Sequence, residues 1–336
     1  MSVSQIDVSR ARVGESVPGR GPVSLRLARD QHEWTAHEDA PGATIYHSWR
    51  WLSWIAPLLG CHFAPLLVHQ QGRTVGIAPM LVRWRAGYQT ANIVPFPFLG
   101  PVVPGELLGA TAAVLRRWAL RHGVLSLQLE LHPTASGTNE ALRGAGYASR
   151  LLPTHLVDLG GRSLDQVFAA FSSDVRGAIR RSSRRGVTVR TSTAEELRTV
   201  LPAVHQEALG QPKGYAEAVG RSLASGGFPV AARCATALVD GRPVGVSVTV
   251  RGANAMGWLG GVFRADQHTQ ANSALTWDAI QWAHEEGCDW IDMGGAPDPG
   301  IAAYKRKFKP RIEEHPLAAW QAPGFLAAQR LRQRLA

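Results

Sequence analysis

The chain is poor in the features that mark several protein classes. It has three cysteines among 336 residues. They form no CxxC pair, which argues against a disulfide scaffold or a cysteine zinc site and favours a reducing compartment. No run approaches the roughly 18 apolar residues of a membrane span, and residues 1–22 lack the apolar stretch of a signal peptide. We therefore expect a cytoplasmic protein without a membrane span.

Motifs for covalent catalysis and for common cofactors are also missing. The sequence contains no GxSxG, no Ser-His-Asp order, no Walker loop and no dinucleotide fingerprint. His32 and His37 are one residue further apart than the histidines of HExxH, so on a helix their rings would point about 140° apart. We predict no metal site, no bound cofactor and no covalent intermediate.

Acidic residues are in the minority. Lys and Arg number 36 against 26 Asp and Glu, which gives a net charge of +10. Arginine dominates the excess, and its planar fork suits phosphate and carboxylate groups. The charge therefore favours a polyanionic partner such as a nucleotide or RNA. A GC-rich genome that encodes basic residues as arginine explains the same excess, and both readings stay open.

The two halves of the chain repeat one order of elements. Each half shows a hairpin with a Gly-Arg-x-Val-Gly motif, then a helix ended by glycine, then a strand. The matched segments are Gly72–Gly76 with Gly241–Gly245, 110–122 with 274–286, and 125–131 with 289–293. Tandem copies of one α/β (α+β) unit explain the repeat. We predict a flexible arm over 1–22, a first lobe over 23–155, a second lobe over 156–320 and a C-terminal helix over 321–336.

Several of these segments resemble the Fem-like (FemABX) aminoacyltransferase branch of the GNAT N-acetyltransferase superfamily. The resemblance covers roughly residues 45–310, as an ordered set of short motifs. The segments that carry it are the hairpin of the second half, a Pro/Phe loop at Pro95–Pro101, an arginine-rich helix at Asp174–Gly186, and the stretches Trp290–Gly295 and Gly300–Phe308.

The resemblance implies two tandem GNAT-like domains, each a mixed, mostly antiparallel sheet flanked by helices, with the main active cleft on the second. It implies transfer of an amino acid from aminoacyl-tRNA, as co-substrate, to an amine of a peptide, a peptidoglycan precursor or an antibiotic intermediate. The product is an amide bond. The tRNA would be recognised at its 3′ acceptor end, and the first-lobe loop would contact substrate through Phe96 and Phe98.

Lys305 and Asp292 are the candidate catalytic residues. Acyl transfer to an amine needs a positioned carbonyl and a donor or cation for the oxyanion. Lys305 follows a glycine-rich turn and matches the family's aromatic-Lys pair, so it would hold a phosphate or the ester oxygen; a solvated basic turn is the alternative. Asp292 would orient the amine or accept its proton, unless it only caps a turn. Tyr304 and Phe308 would form walls of the cleft.

The arginine-rich helix predicts a phosphate-binding face. At about 100° per residue, Arg176, Arg180 and Arg184 form one stripe with Arg181 and Arg185 beside it, and Phe168, Phe171, Val175, Ala178 and Ile179 are expected on the opposite side. Mutual repulsion of these guanidinium groups is easiest to explain if phosphates approach, although a solvated face is the usual alternative. Arg180, Arg181 and Arg184 are therefore candidate phosphate ligands. Trp258 and Trp277 would stack on a base or line the cleft, if they are not core residues.

Two other functions remain open. An acyl-CoA or carrier-protein donor could serve the same fold, but GNAT enzymes that use coenzyme A place a glycine-rich loop at the pyrophosphate. The equivalent stretch, Arg264–Ser273, has no glycine, which favours the tRNA donor. A non-catalytic RNA-binding protein is the second alternative; its binding would fall steeply with salt.

Overall fold

A computed structural model describes residues 23–85, 88–135, 138–209, 213–296 and 298–325. The predicted arm over 1–22 lies outside these residues. So does the predicted C-terminal helix from residue 326 onward; its first residue, Gln321, is the last residue of a strand. None of the described helices is long and apolar enough to cross a bilayer.

The chain divides into two compact units. One unit contains the described residues up to Leu151 together with those from Pro316, and the other spans Leu152–His315. The predicted second lobe ran to residue 320, but residues 317–321 pair in register with residues 126–130 of the first unit. Residues 317–321 therefore belong to the first unit, because their strand pairing is made there.

Mixed α/β structure over both units confirms the predicted fold class. The elements up to the unit boundary are β1 (Val23–Leu27), α1 (Gln31–Thr35), α2 (Trp49–Leu58), β2 (His62–Gln70), β3 (Arg73–Arg85), β4 (Tyr88–Ala91), α3 (Leu108–Arg121), β5 (Val124–Glu130), α4 (Asn139–Gly144) and β6 (Ala148–Asp158). Those that follow are α5 (Leu164–Ala170), α6 (Ser173–Arg184), β7 (Val187–Thr191), α7 (Ala194–Leu209), α8 (Lys213–Ala224), β8 (Ala231–Val239), β9 (Arg242–Arg251), β10 (Ala255–Val262), α9 (Ala271–Glu285), β11 (Trp290–Asp292), α10 (Pro299–Arg306) and β12 (Arg311–Gln321).

The two units have the same strand order. The first is β1-β2-β3-β4-β5-β12, and the second, read from its other edge, is β7-β8-β9-β10-β11-β6. In each, the fourth and fifth strands are parallel and the pairs described around them are antiparallel. The sixth strand is exchanged: β6 follows the first unit's elements but pairs with β11, whereas β12, which follows the second unit's elements, pairs with β5.

The predicted hairpins form for the same physical reason in each unit. Gln71-Gly72 and Asp240-Gly241 have positive φ at both positions, which matches the twist of the flanking strands in a two-residue turn. The second glycine of each Gly-Arg-x-Val-Gly motif permits close packing. A Cβ on Gly76 would lie 2.1 Å from the carbonyl oxygen of Val102, and one on Gly245 would lie 2.7 Å from that of Gly261.

The arginine-rich helix begins within one residue of its predicted start, but Phe168 and Phe171 lie outside it. Ser172 caps α6 by accepting a hydrogen bond from the N–H of Val175, and Phe171 is extended. Phe168 lies on the separate helix α5, which starts with the Ser163 capping box. The prediction that Phe168 and Phe171 continue the apolar face of one helix is therefore wrong. Both rings still pack with α9, against Trp277.

The second unit packs helices on both faces of its sheet. Helix α7 packs against β9 and β10, while α9 packs against β8 and β9 and is in turn packed by α6. Buried aliphatic side chains fill the layer beneath α9, among them Val157, Ile280 and Ile291. The sheet is thus packed by helices on both faces, so the ends of its strands have defined positions.

The carboxylate of Glu196, at the start of α7, is the shared acceptor of a buried hydrogen-bond network. Its carboxylate, 6% exposed, accepts hydrogen bonds from Arg190 (2.9 and 2.6 Å), from the N–H of Thr193 (2.8 Å) and from the hydroxyl of Thr236 (2.9 Å). Burial alone would raise its pKa, but these bonds outweigh burial and lower the pKa to about 2. The carboxylate therefore stabilises the fold while it is ionised.

We expect Glu196→Gln to lower the free energy of unfolding at pH 7 by about 1–3 kcal/mol, since a charged acceptor is lost from three donors. Because the folded pKa is depressed, the wild-type advantage exists above the unfolded pKa and disappears as pH falls towards 2. Urea unfolding at pH 7 and pH 3 would measure both effects. Glu195→Gln, at an exposed neighbour, is the matched control. An equal effect of the two substitutions would contradict the network's role.

Candidate functional site

The candidate site lies where β10 and β11 separate. The two strands pair in parallel only at Ala255↔Ile291 and Met256↔Asp292. After Asp292 the chain stays with β6, because the N–H of Met293 donates to the carbonyl of His155 at 2.9 Å. An opening between the carboxyl ends of parallel strands is a common place for ligands in α/β sheets.

A bulge in β10 lies at the same level of the sheet. Its register with β9 shifts between Gly257 and Leu259, so Trp258 has no opposite residue. A Cβ on Gly257 would lie 3.6 Å from the carbonyl oxygen of Asp292 and 4.0 Å from the Cα of Met293. The turn after β11 therefore starts directly beside the bulge, and the two features border one opening.

Asp292 ends β11 as a buried carboxylate, 1% exposed. Its Oδ1 accepts hydrogen bonds from the hydroxyl of Thr154 (2.5 Å) and from the N–H of Gly294 (2.6 Å). Burial raises the pKa of Asp292, and these two donors together with the charge of Lys305 partly oppose that rise. The carboxylate is thus held in one orientation beneath the turn that follows it.

Lys305 lies on α10, not in a loop, and its ammonium group reaches back to the turn after β11. It donates to the carbonyls of Met293 (2.5 Å), Gly294 (3.1 Å) and Gly295 (2.6 Å). An ammonium group has three protons, so these carbonyls match its full capacity. Burial lowers the pKa of Lys305 to about 8, although the charge of Asp292 opposes the shift.

Helix α10 is positioned by its first residues and by a tyrosine. Asp298 caps it by accepting hydrogen bonds from the N–H groups of Gly300 and Ile301, and Pro299 occupies the first helical position, where its missing N–H has no cost. The hydroxyl of Tyr304 lies 2.9 Å from that of Thr276 on α9. Burial raises the pKa of Tyr304 to about 12, so the ring stays neutral and anchors the helix.

Phe308 and Trp277 pack in one aromatic cluster, in which Phe308 is buried and Trp277 is half-buried. Phe308 is 1% exposed and makes edge contacts with Phe171 and Tyr304 at centroid distances of 5.2 and 5.3 Å. Trp277 packs with Phe168 and Phe171 at 5.2 and 5.7 Å. Phe308 connects these rings to Tyr304 of α10, whose hydroxyl also contacts that of Thr276.

Three of the predicted phosphate ligands lie exposed on α6. Within the part of the chain that the structure describes, Arg180, Arg181 and Arg184 form no ion pair with an acid. Arg180 lies over the ring of Phe168 at 5.5 Å. By contrast, Arg176 is taken up by the carbonyls of Ala169 (2.8 Å) and Phe171.

Helix α6 runs past the elements that frame the opening. At its start, the N–H of Ser172 donates to the carbonyl of Lys307, next to the end of α10, at 2.9 Å. At its end, Arg185 donates to the carbonyl of His268, in the 3-10 turn Arg264–Thr269 that precedes α9. The exposed guanidinium groups therefore lie between the Lys305 helix and the amino end of α9.

Trp258 lies on the bulge among other aromatic residues. Its side chain is half-buried, stacks with Phe228 at 6.2 Å and meets Tyr215 of α8 edge-on at 6.3 Å. Of the predicted aromatic residues of the second unit, it is the one on the bulge itself.

Phe96 and Phe98 lie in the first unit. Both are buried, at 6% and 1% exposure; Phe96 packs on Tyr46 and Trp51, and Phe98 packs edge-on against His132. Phe98 has a left-handed φ of 63°, unusual for an aromatic residue. Both side chains are therefore part of the core of the first unit.

Thr154 and His155 complete the site, and sequence reasoning missed them. Thr154 donates to Asp292, and Nδ1 of His155 lies 3.1 Å from the carbonyl oxygen of Gly294. Both precede their partners by well over a hundred residues and belong to no motif. The one signal that could have found them is the strand pattern around them, which pairs β6 with β11.

A comparison with protein-family models gives one family for the second unit. Residues 169–306 match the model described as an acetyltransferase (GNAT) domain. That stretch includes Arg180, Trp258, Asp292 and Lys305. No curated protein sequence matches the chain.

Solved structures resemble the chain over most of its length. FemX has a TM-score of 0.67 at 15% identity, over 87% of this chain and 96% of that one. A tandem GNAT protein from the clavulanic acid biosynthesis pathway has a TM-score of 0.57 at 14% identity, over 89% and 98%. L-PGS from Bacillus licheniformis has 0.52 at 15%, over 91% and 96%. These similarities establish a shared fold and agree with the predicted Fem-like branch.

We expect Thr154→Val to raise the pKa of Asp292 further, because a hydrogen bond to the ionised carboxylate is removed. Thr154→Ser keeps the hydroxyl and should leave that pKa near its wild-type value. Titration of the Asp292 carboxyl carbon by NMR measures both variants. Identical titrations of wild type and Thr154→Val would show that the 2.5 Å contact does not influence the carboxylate.

Proposed function

We propose that the protein transfers an amino acid from aminoacyl-tRNA to an amine, with the segment that matches the acetyltransferase (GNAT) domain model, residues 169–306, acting as the N-acyltransferase. The acceptor would be an amine of a peptide, a peptidoglycan precursor or an antibiotic intermediate, and the product an amide. One observation carries the choice of donor: the exposed arginines of α6 that have no acidic partner among the described residues.

These arginines suit a polyphosphate chain better than a single small anion. Arg180, Arg181 and Arg184 repel one another, and without acids nearby the repulsion is relieved when phosphates bind and release their counterions. Their helix lies between α10 and the turn before α9, so a nucleic acid on α6 can place its terminal ester near the opening. This arrangement supports recognition of the 3′ acceptor end.

The opening offers what amine acylation requires. The acceptor amine must arrive neutral, and the ester carbonyl must be held while negative charge develops on its oxygen. Lys305 supplies a positive charge at the edge of the opening, and Asp292 is held beside it. Proton transfer from the attacking amine to the departing ribose oxygen, directly or through water, completes the exchange.

An acyl-CoA donor is the alternative on the same fold. The tandem GNAT structure similar to this chain is described as being without AcCoA. An acyl-CoA thioester is therefore the donor to compare with aminoacyl-tRNA. In the present chain the turn before α9 ends at Gln270, with a φ of 69°, and carries side chains throughout 264–270. Such side chains crowd a pyrophosphate that would approach the backbone closely, which favours the tRNA donor.

A third possibility is RNA binding without turnover. It uses the same arginines, and it predicts binding that weakens with salt but no release of the amino acid. The built turn around Lys305 favours catalysis, because a ring of three carbonyls on one ammonium has no use in binding RNA on α6.

We expect purified protein to release label from one class of charged tRNA when an acceptor extract is present. Bulk tRNA charged with radiolabelled amino acids and acetyl-coenzyme A would be compared as donors. Lys305→Ala should lower the rate at least tenfold, whereas Lys307→Ala, which removes an exposed charge of the same helix end, should change it little. Thiol release from coenzyme A instead would assign the donor to the alternative.

We expect Arg184→Gln to weaken tRNA binding and to reduce the slope of log K against log salt by roughly 0.7–0.9, the value for one phosphate contact. Arg221→Gln, an exposed arginine on α8, is the control and should leave the slope unchanged. Filter binding at several salt concentrations measures both. Equal slopes for all three proteins would remove α6 from the tRNA interface.

A further inference from the structure

The opening of the second unit has a counterpart in the first unit. The two units have the same strand order, and β4 and β5 are the parallel pair that corresponds to β10 and β11. Pairing of β4 with β5 ends at Ala91↔Leu127, as pairing of β10 with β11 ends at Met256↔Asp292. The tandem architecture therefore places an equivalent separation of strands in the first unit.

The glycine motifs allow the strands of the two units to be matched residue by residue. The residue after the last glycine of Gly-Arg-x-Val-Gly is Ile77 in β3 and Val246 in β9. Ile77 forms an antiparallel bridge with Val102, whereas Val246 pairs with Gly261 of β10. Val102 therefore occupies in the first unit the position that Gly261 occupies in the second.

The match continues four residues further along β3 and β9. There the N–H of Asn92 donates to the carbonyl of Leu81 at 3.0 Å, and its Oδ1 accepts from the N–H of Leu81 at 2.8 Å. In the second unit Met256 pairs with β9 at this level. Between the matched positions the second unit has residues 257–260, which contain the bulge, and the first has residues 93–101. The Pro/Phe loop of the first unit thus takes the place of the bulge.

Beyond the end of β4, this loop contacts both of the strands that flank β4. It is bonded to β3 at its two ends, and Gly100 lies against the end of β5: a Cβ on Gly100 would be 2.8 Å from the carbonyl oxygen of Glu130. Phe98 packs edge-on against His132, just after β5, at a centroid distance of 4.7 Å. Phe98 and Leu99 are 1% and 2% exposed. A ligand at this separation of strands would have to move buried apolar side chains into water, which is unfavourable.

Buried hydrogen bonds hold the loop in this position. The side-chain amide of Asn92 donates to the carbonyls of Pro79 (2.9 Å) and Leu99 (3.0 Å). Nε2 of His47 lies 3.1 Å from the carbonyl oxygen of Gly100. Burial lowers the pKa of His47 to about 4, so the ring is neutral at pH 7 and donates to that carbonyl through Nε2.

We infer that residues 93–101, held by Asn92, seal the strand opening of the first unit, so that an acyl donor binds in the second unit and not in the first. The site of donor binding rests on the proposed acyl transfer, whereas the seal rests on the contacts of the loop. At the matched positions of the second unit, Gly257 is exposed and Trp258 is half-buried, so solvent reaches the bulge. Two units of one fold therefore have different tasks, and Phe96 and Phe98 serve as a plug.

Hydrogen exchange of the wild-type protein tests the seal without any ligand. The N–H groups of Asn92 and Val102 donate to the carbonyls of Leu81 and Ile77 on β3. We therefore expect both to exchange within about tenfold of the rates of the β3 amides, because all open together. Mass spectrometry with fragmentation of the labelled peptides measures these rates. Exchange of the two amides as fast as in an unstructured peptide would overturn the seal.

Asn92→Asp tests the residue that holds the loop. Asp has the same size and also tolerates the left-handed φ of 58° at this position, but it cannot donate to the two carbonyls. We expect exchange over 93–101 to accelerate by about tenfold or more, with exchange in the second unit unchanged. Asn139→Asp is the matched control, since Asn139 uses its side-chain oxygen, toward Ser149. Equal exchange in the two variants would remove Asn92 from the seal; if Asn92→Asp does not fold, the wild-type rates decide.

Binding of unreactive donor analogues shows which unit takes the donor. One analogue is a tRNA acceptor minihelix that carries its amino acid through a 3′-amide, and the other is an acyl-CoA with a methylene group in place of the thioester sulfur. For the analogue that binds, we expect titration calorimetry to give one equivalent per chain. Exchange should slow over 255–260 and 290–296 but not over 88–103. Two equivalents per chain, or slower exchange over 88–103, would overturn the inference.

The outcomes separate this inference from the proposed function. If the acyl-CoA analogue alone binds, once per chain and in the second unit, the proposed donor is wrong and the seal stands. If neither analogue binds, the proposed acyl transfer fails, while the exchange rates of Asn92 and Val102 still decide whether the loop seals the first unit.

Discussion

The ammonium group of Lys305 and the three carbonyls around it are the contact on which the site depends. Neighbouring residues hold the ammonium group and these carbonyls in contact. Asp298 and Pro299 start the helix that carries Lys305, and Tyr304 fixes that helix to α9. On the other side, β6 and Asp292 hold the turn. A cation that is partly withdrawn from water needs such compensation, and here the backbone carbonyls supply it in place of a carboxylate partner.

Much of this could be predicted from the sequence, because the informative signals are local. Gln71-Gly72 and Asp240-Gly241 are turn sequences whose conformation follows from their own side chains, and Gly123 and Gly287 end helices with positive φ as predicted. The repeat of these signals predicted two related units. Asp292 and Lys305 were predicted to belong to one site because a short turn and one helix separate them.

The rest required tertiary information. Thr154 meets Asp292 only because β6 pairs with β11, and no local pattern identifies a strand's neighbour. The division between α5 and α6 was missed because Phe168 and Phe171 fit a helical period, while the caps at Ser163 and Ser172 were not weighed against it. Phe96 and Phe98 are apolar residues of a loop, and such residues fit a substrate-binding surface as well as a core. Their exposure of 6% and 1% depends on tertiary packing, which the sequence does not reveal.

The exchange of the sixth strands has a consequence for synthesis on the ribosome. Strand β5 is synthesised well before its partner β12, whose Leu317 pairs with Glu130. One edge of β5 therefore stays unpaired until residues 317–321 have left the ribosome. An unpaired edge invites association with other chains, and such distant pairing slows folding. Each unit therefore takes one strand of its sheet from the other half of the sequence. Truncation near residue 310 would leave β5 at an unpaired edge of the first unit, although β1 to β5 are present.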